Sequence, residues 1–156
     1  MRCITIFSDA SRCHQTGATG AAAWARTDAQ RASWSDAFVS TSSHEAEIRG
    51  AALAVVECLK QLPEPCDLVV LVVDCLAVKT AFDDPRSKMR LSPEARSALA
   101  QARASATARR CKIKVNHVKG HSGTGSPRQW VNNFVDKAAR RQMRQLREQL
   151  LVQAPA

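Results

Sequence analysis

Six consecutive apolar residues, Leu68 to Val73, run directly into Asp74. Apolar on both alternations, such a run reads as a strand covered on both faces, at the centre of a sheet flanked by helices. Cys3 to Asp9 alternates instead, and it too ends on a carboxylate followed by small residues, Ala10 and Ser11. After a loop carrying Gly17 and Gly20, residues 21–26 and 32–39 continue the strand pattern with Thr27-Asp28-Ala29-Gln30 as the turn between them. The first three strands therefore form an antiparallel meander. Ser42 followed by Glu45 is a capping-box pattern, opening a helix that runs to about Gln61, before Pro63. Its apolar stripe is Ile48, Ala51, Ala52, Val55, Val56 and Leu59, with Glu47 on the border. Gly50 in mid-helix points to a close backbone approach.

Beyond Asp74 the pattern gives a short helix over 75–82, closed by Asp83-Asp84-Pro85, and a second helix opened by Ser92-Pro93 and reaching about Arg109. Residues 111–118 form a half-buried strand with its lysines on one face. A glycine-rich loop over 119–126 contains His121, and a last helix spans about 127–152, with 153–156 expected as a disordered tail. Asn132 and Asp136 share one face of that helix. The whole reads as one α/β domain over 1–156, a five-stranded mixed sheet, three strands antiparallel and then two parallel, flanked by helices.

Charge changes this picture more than composition does. The chain carries a formal net charge of +9, and residues 101–150 hold twelve Lys and Arg against only Asp136 and Glu148. Basicity confined to one third of the chain fits an electrostatic footprint for a polyanion, although a solvated helix face has the same composition. The six cysteines form no CxxC pair and read as reduced thiols in a cytosol-like compartment, so the expected location is cytoplasmic. No apolar run reaches the length of a membrane span.

Four carboxylates stand out: Asp9 and Asp74 at strand ends, Glu47 and Asp136 in the first turns of helices. A charged Asp beyond a buried strand is disfavoured by desolvation unless something compensates it. Taken singly, Asp74 reads equally as a cap or loop carboxylate, and Glu47 as a solvated helix residue. If the two strands lie side by side, their terminal carboxylates converge, and hard oxygen ligands without Cys or His suit Mg²⁺ or Mn²⁺ and not zinc.

Ser8-Asp9-Ala10-Ser11, His44-Glu45-Ala46-Glu47-Ile48, Val73-Asp74, Val118-Lys119-Gly120-His121-Ser122-Gly123 and Asn132-Asn133-Phe134-Val135-Asp136 together resemble the type 1 ribonuclease H family, from Ile4 to about Ala139. The resemblance implies that Asp9, Glu47, Asp74 and Asp136 hold two divalent ions, with Asp9 bridging them. Glu47 matches better than Glu45 because it directly precedes an apolar residue. It implies that His121 assists proton transfer or product release, and that Ser11, Gln15, Ser42, Ser43 and Asn132 contact substrate. The implied activity is endonucleolytic cleavage of the RNA strand of RNA/DNA hybrids, leaving 5′-phosphate and 3′-hydroxyl ends, by a monomer that is free-standing or part of a larger polyprotein or reverse transcriptase. Departures are Cys75-Leu76 where many members have Ser-Gln, Ser42-Ser43 where they have an Asn pair, Gln15 in place of Asn, and no tryptophan-rich basic handle. Arg103, Arg109, Arg110, Arg140 and Arg141 are candidates to replace that handle. The departures keep open a same-fold nuclease for double-stranded RNA or structured DNA, and a non-catalytic binding module.

Overall fold

The computed structural model describes residues 1–119 and 127–155. The chain order is β1 (Cys3–Arg12), β2 (Ala18–Arg26), β3 (Arg31–Val39), α1 (Ser43–Gln61), β4 (Leu68–Val73), α2 (Leu76–Asp83), α3 (Pro93–Ala108), β5 (Lys112–His117) and α4 (Pro127–Gln153). The five strands form one sheet in the order β3-β2-β1-β4-β5. β1, β2 and β3 pair antiparallel, whereas β1, β4 and β5 run parallel. The expected architecture is the observed one, with β4, the fully apolar run, between β1 and β5. β4 is not covered on both faces as expected, however: Val69, Leu71 and Val73 are buried under helices, whereas on the other face α4 packs on Val72 and leaves Leu68 and Val70 partly open.

Pleating divides the sheet into two faces. Ile4 and Ile6 of β1 and Val69, Leu71 and Val73 of β4 bury against Ile48, Val55 and Leu59 of α1 and Leu99 of α3, forming the main core. Phe7 and Val72 point the other way and meet Val131 of α4, while Ala22 meets Val135 and Ala139. β2 is alanine-rich because helices press on it from both sides. A Cβ at Gly20 would stand 1.8 Å from the Ala139 carbonyl oxygen, and one at Gly50 would stand 2.8 Å from the Ala21 Cβ. The close approach read from Gly50 is thus an α1–β2 contact. Gly20, expected in a loop, lies inside β2, where it lets α4 rest on the strand.

β1 also runs past its expected end. Its pairing with β4 stops at Phe7–Val72, but its pairing with β2 continues to Arg12–Thr19. The two parallel strands separate at that point, so Asp9 and Asp74 flank a cleft between strands, the position where open α/β sheets place ligand chemistry.

Candidate active site

One ligand oxygen from each of Asp9, Glu47 and Asp74 lies within 4.8 Å of the others. Asp9 comes from β1 just beyond the split, Asp74 from the residue after β4, and Glu47 from the face of α1 turned to the strand ends. Oxygens bound to one Mg²⁺ at about 2.1 Å are at most about 4.2 Å apart, so the spacing matches a site for a hard divalent ion with little adjustment. Next to the cluster, burial and then the charges of Glu47 and Asp74 raise the Cys75 thiol above its ordinary value, against two opposing backbone hydrogen bonds. Among the described residues, the Cys75 sulfur is not one of the ligand atoms that converge with the three acids.

The three acids are not equally exposed. Asp74, singled out from sequence by the cost of burying a charge, is solvent-exposed, and desolvation falls on its partners instead. Burial, followed by the Asp74 charge, pushes the Asp9 carboxyl up to about 7, with Asp136 adding to the rise. Burial and then the charges of Asp9 and Asp74 push Glu47 up to about 9. Two half-buried carboxyls whose ionisation is opposed by burial and by neighbouring acids are groups a divalent cation would ionise.

The first turn of α1 fixes Glu47 in this position. Ser42 caps the helix by accepting from the Glu45 N–H at 3.1 Å, as its capping-box pattern predicts. The return bond goes one residue further back: Glu45 accepts from the Thr41 N–H, from the Thr41 hydroxyl at 2.8 Å and from the Ser92 hydroxyl at 2.6 Å. Ser92 in turn caps α3, so one carboxylate ties the starts of two helices together. At the other end of β1, Arg12 donates through Nε to the Ser40 hydroxyl at 3.1 Å and through Nη2 to the Ser40 carbonyl at 3.1 Å. The Ser40 and Thr19 hydroxyls lie 2.6 Å apart. This clasp holds the β3–α1 junction against β1 and β2.

The sequence profile of the RNase H family matches residues 1–144. The chain belongs to the RNase H family. A comparison with curated protein sequences gives no match. Among solved structures, the N-terminal RNase H domain of a Mycobacterium tuberculosis protein superposes with a TM-score of 0.72 at 19% identity, covering 96% of this chain and 99% of that one. RNase H1 from the archaeon Halobacterium salinarum gives 0.68 at 16% identity, covering 92% and 98%. LC11-RNase H1, solved in complex with an RNA/DNA hybrid, gives 0.61 at 15% identity, covering 86% and 98%. The chain is accordingly a ribonuclease H-type hydrolase.

The remaining site residues of this RNase H chain divide clearly. Asp136 lies outside the three-acid cluster but near enough for its charge to raise Asp9. It pairs at 3.3 Å with Arg140, one turn on along α4. Asn132 lines a small cavity of about 30 Å³ together with Ser8, Asp9 and Asp74. Ser11 is half-buried in β1, Gln15 is exposed on the β1–β2 loop, and Ser42 and Ser43 are exposed at the start of α1. His121 lies outside the described residues.

Of the arginines offered as a replacement handle, three are already engaged, Arg140 by Asp136 and two by backbone carbonyls. Arg103 donates to the Ala81 and Phe82 carbonyls that end α2. Arg109 donates to the Leu59 and Glu64 carbonyls. Sequence reasoning missed the partners of Glu45, the Arg12–Ser40 clasp and the Asp136–Arg140 pair. Only the last had a visible signal, opposite charges four apart on a helix. His117, whose Nε2 lies 3.2 Å from the Asp74 carbonyl oxygen, gave none.

Proposed function

We propose that the chain hydrolyses the RNA strand of RNA/DNA hybrids as a divalent-metal-dependent endonuclease. The observation that supports this most is the convergence of Asp9, Glu47 and Asp74, three oxygen ligands at cation spacing and with no thiolate or imidazole among them. A purely binding module gains nothing from acids clustered where phosphates must approach. Asp9, Glu47 and Asp74 would hold Mg²⁺, with Mn²⁺ as a substitute, and Asp136 would serve a second ion beside Asp9. The chemistry such a pair of ions would supply, when bound, is activation of a water and stabilisation of the leaving 3′ oxygen, which would give 5′-phosphate and 3′-hydroxyl ends. Glu47, half-buried and fixed by the α1 cap, would complete the ligand set beside the two aspartates. Arg140 limits the repulsion between Asp136 and an incoming phosphate.

A second reading, a nuclease of the same fold acting on double-stranded RNA or structured DNA, draws on Leu76. It is 60% exposed at the first position of α2, two residues from Asp74. An apolar side chain there offers no hydrogen bond to a 2′-hydroxyl, the group by which RNA is told from DNA.

The deciding measurement is cleavage of end-labelled RNA/DNA hybrid, double-stranded RNA, single-stranded RNA and double-stranded DNA in Mg²⁺ and then Mn²⁺, beside an Asp74→Asn control. Hybrid cutting that the control loses supports the first reading. Cutting of duplex RNA or DNA with the hybrid spared supports the second. Binding without cutting in either metal removes both.

A further inference from the structure

We infer that the sheet face beside the N-terminal turns of α4 is a second nucleic-acid surface, built to hold a single strand, and that it is separate from the carboxylate cluster. The inference does not rest on the catalytic reading. The strand registers define a cross-sheet row on the same face as Phe7: Arg31, Arg26, Thr5, Val70 and Lys114, from β3 to β5. Cys3, Leu68 and Lys112 form the next row. Thr5 and Val70 remain partly open to solvent although they sit mid-sheet, and the four cations are exposed. Among the described residues, none of the four is ion-paired to a carboxylate. Arg26 and Lys114 are three strands apart, about 14 Å, so positive charge stands at both ends of a neutral floor.

Aromatic rings border this floor. Trp24 follows Phe7 at 6.1 Å between ring centroids, and Trp130 of α4 follows Trp24 at 6.2 Å, edge-on. Phe134 stacks on Trp130 at 5.6 Å and 18°. Trp130 is 60% exposed and Phe134 38%. Stacked rings left open to water, with a cation beside them, are the arrangement by which proteins hold unpaired bases: ring faces take the base planes and the cations take the phosphates. Arg31 is already posed, its guanidinium 5.9 Å from the centre of the Trp24 ring while its Nη1 donates to the Thr27 and Gln30 carbonyls. Four cations on one face disfavour pairing with a second copy of this chain. The nearby acids lie at one edge: Asp28 on the β2–β3 turn, Glu64, which shares a cleft with Cys3 and Asp28, and Asp67, which Arg2 binds. Positions 130 and 132 of a helix lie about 200° apart around its axis. Trp130 therefore faces away from Asn132 and the acids.

The test is fluorescence anisotropy of labelled oligothymidylate and oligouridylate of about 20 nucleotides, longer than one binding site of this type, in EDTA so that nothing is cut. The expected result is binding that Trp130→Ala weakens roughly fivefold to a hundredfold, and that Trp130→Phe largely retains. Changing Lys112 and Lys114 together to Glu should lower the slope of log affinity against log salt by about 1.4. Arg144→Glu, remote from this face on α4, should leave the stacking-dependent part unchanged. Equal affinity for both oligonucleotides marks the unpaired base as the ligand, while a preference for uridylate adds contacts to the sugar. The inference is overturned if neither Trp130→Ala nor the lysine pair changes affinity, or if Arg144→Glu costs as much as they do. It is equally overturned if Trp130→Ala merely dissociates a dimer. Should Trp130→Ala fail to fold, the lysine pair carries the same test.

Discussion

Glu45 and Glu47 sit two residues apart on one helix, in the same solvent and with the same side chain, yet their environments drive them in opposite directions. Burial opposes ionisation at Glu45, but hydrogen bonds from Ser92 and Thr41 outweigh it and leave its carboxyl below the ordinary range. Glu47 meets burial and two neighbouring acids, against a single opposing backbone contact, and is pushed up to about 9. Donors, and not burial alone, decide which carboxylate is finished and which is still short of a partner. The finished one fastens α1 to α3. The other points at Asp9 and Asp74.

The sharpest way to break this comparison is at the unfinished end. Asp9→Asn or Asp74→Asn is expected to reduce hybrid cleavage more than about a hundredfold while leaving the metal-free thermal midpoint unchanged or higher, because repulsion is relieved. A variant that cuts at the parental rate contradicts the role given to the cluster. At the finished end, Glu45→Ala should lower the unfolding free energy by about 2 kcal/mol in a denaturant titration, since it strands the Ser92 and Thr41 donors. Its cleavage should fall only as far as α1 shifts.

The two ends also respond oppositely to pH. Asp9 and Glu47 have folded values above their unfolded ones, so the folded state holds more protons and stability drains away as pH rises from about 4 to 9. Glu45 is depressed, so its contribution is complete above its unfolded value and is lost as pH falls through its folded value. Metal-free protein should therefore be most stable near about pH 5 and decline towards pH 9. Millimolar Mg²⁺ or Glu47→Gln should flatten the alkaline limb, which differential scanning calorimetry would read. The mildest probe is Ser92→Ala, which removes one donor to Glu45 and the cap of α3 at a cost of about 1–2 kcal/mol. It should also make the acid limb shallower.

Much of the site was legible before any coordinates, because its parts are periodic. The apolar run to Val73, the alternation to Asp9 and the stripe around Glu47 each fix an element, and each element points one acid at the same end of the sheet. What escaped notice depends on contacts between distant parts of the chain. Nothing local to Glu45 announces Ser92, forty-seven residues later in sequence. Asp74 was credited with a desolvation that belongs to Asp9, because depth in a cleft is set by where β1 and β4 part and not by the hydrophobicity of either strand. Gly20 looked like loop material until the helix lying on it was known. Arg103 and Arg109 looked like free charge and prove to be helix-end clasps.

The β1–β4 pairing has a further consequence for how the chain is made. β1 finishes as a central strand, but Phe7 must wait for Val72, sixty-five residues later. The three-stranded meander is complete at Val39, so at a synthesis rate of about 5–20 residues per second its unpaired edge stays open for roughly 2–7 seconds until Val72 is made. Edges of that kind are templates for stray pairing. In biogenesis the vulnerable part of this molecule is therefore the strand that ends as its best-protected one.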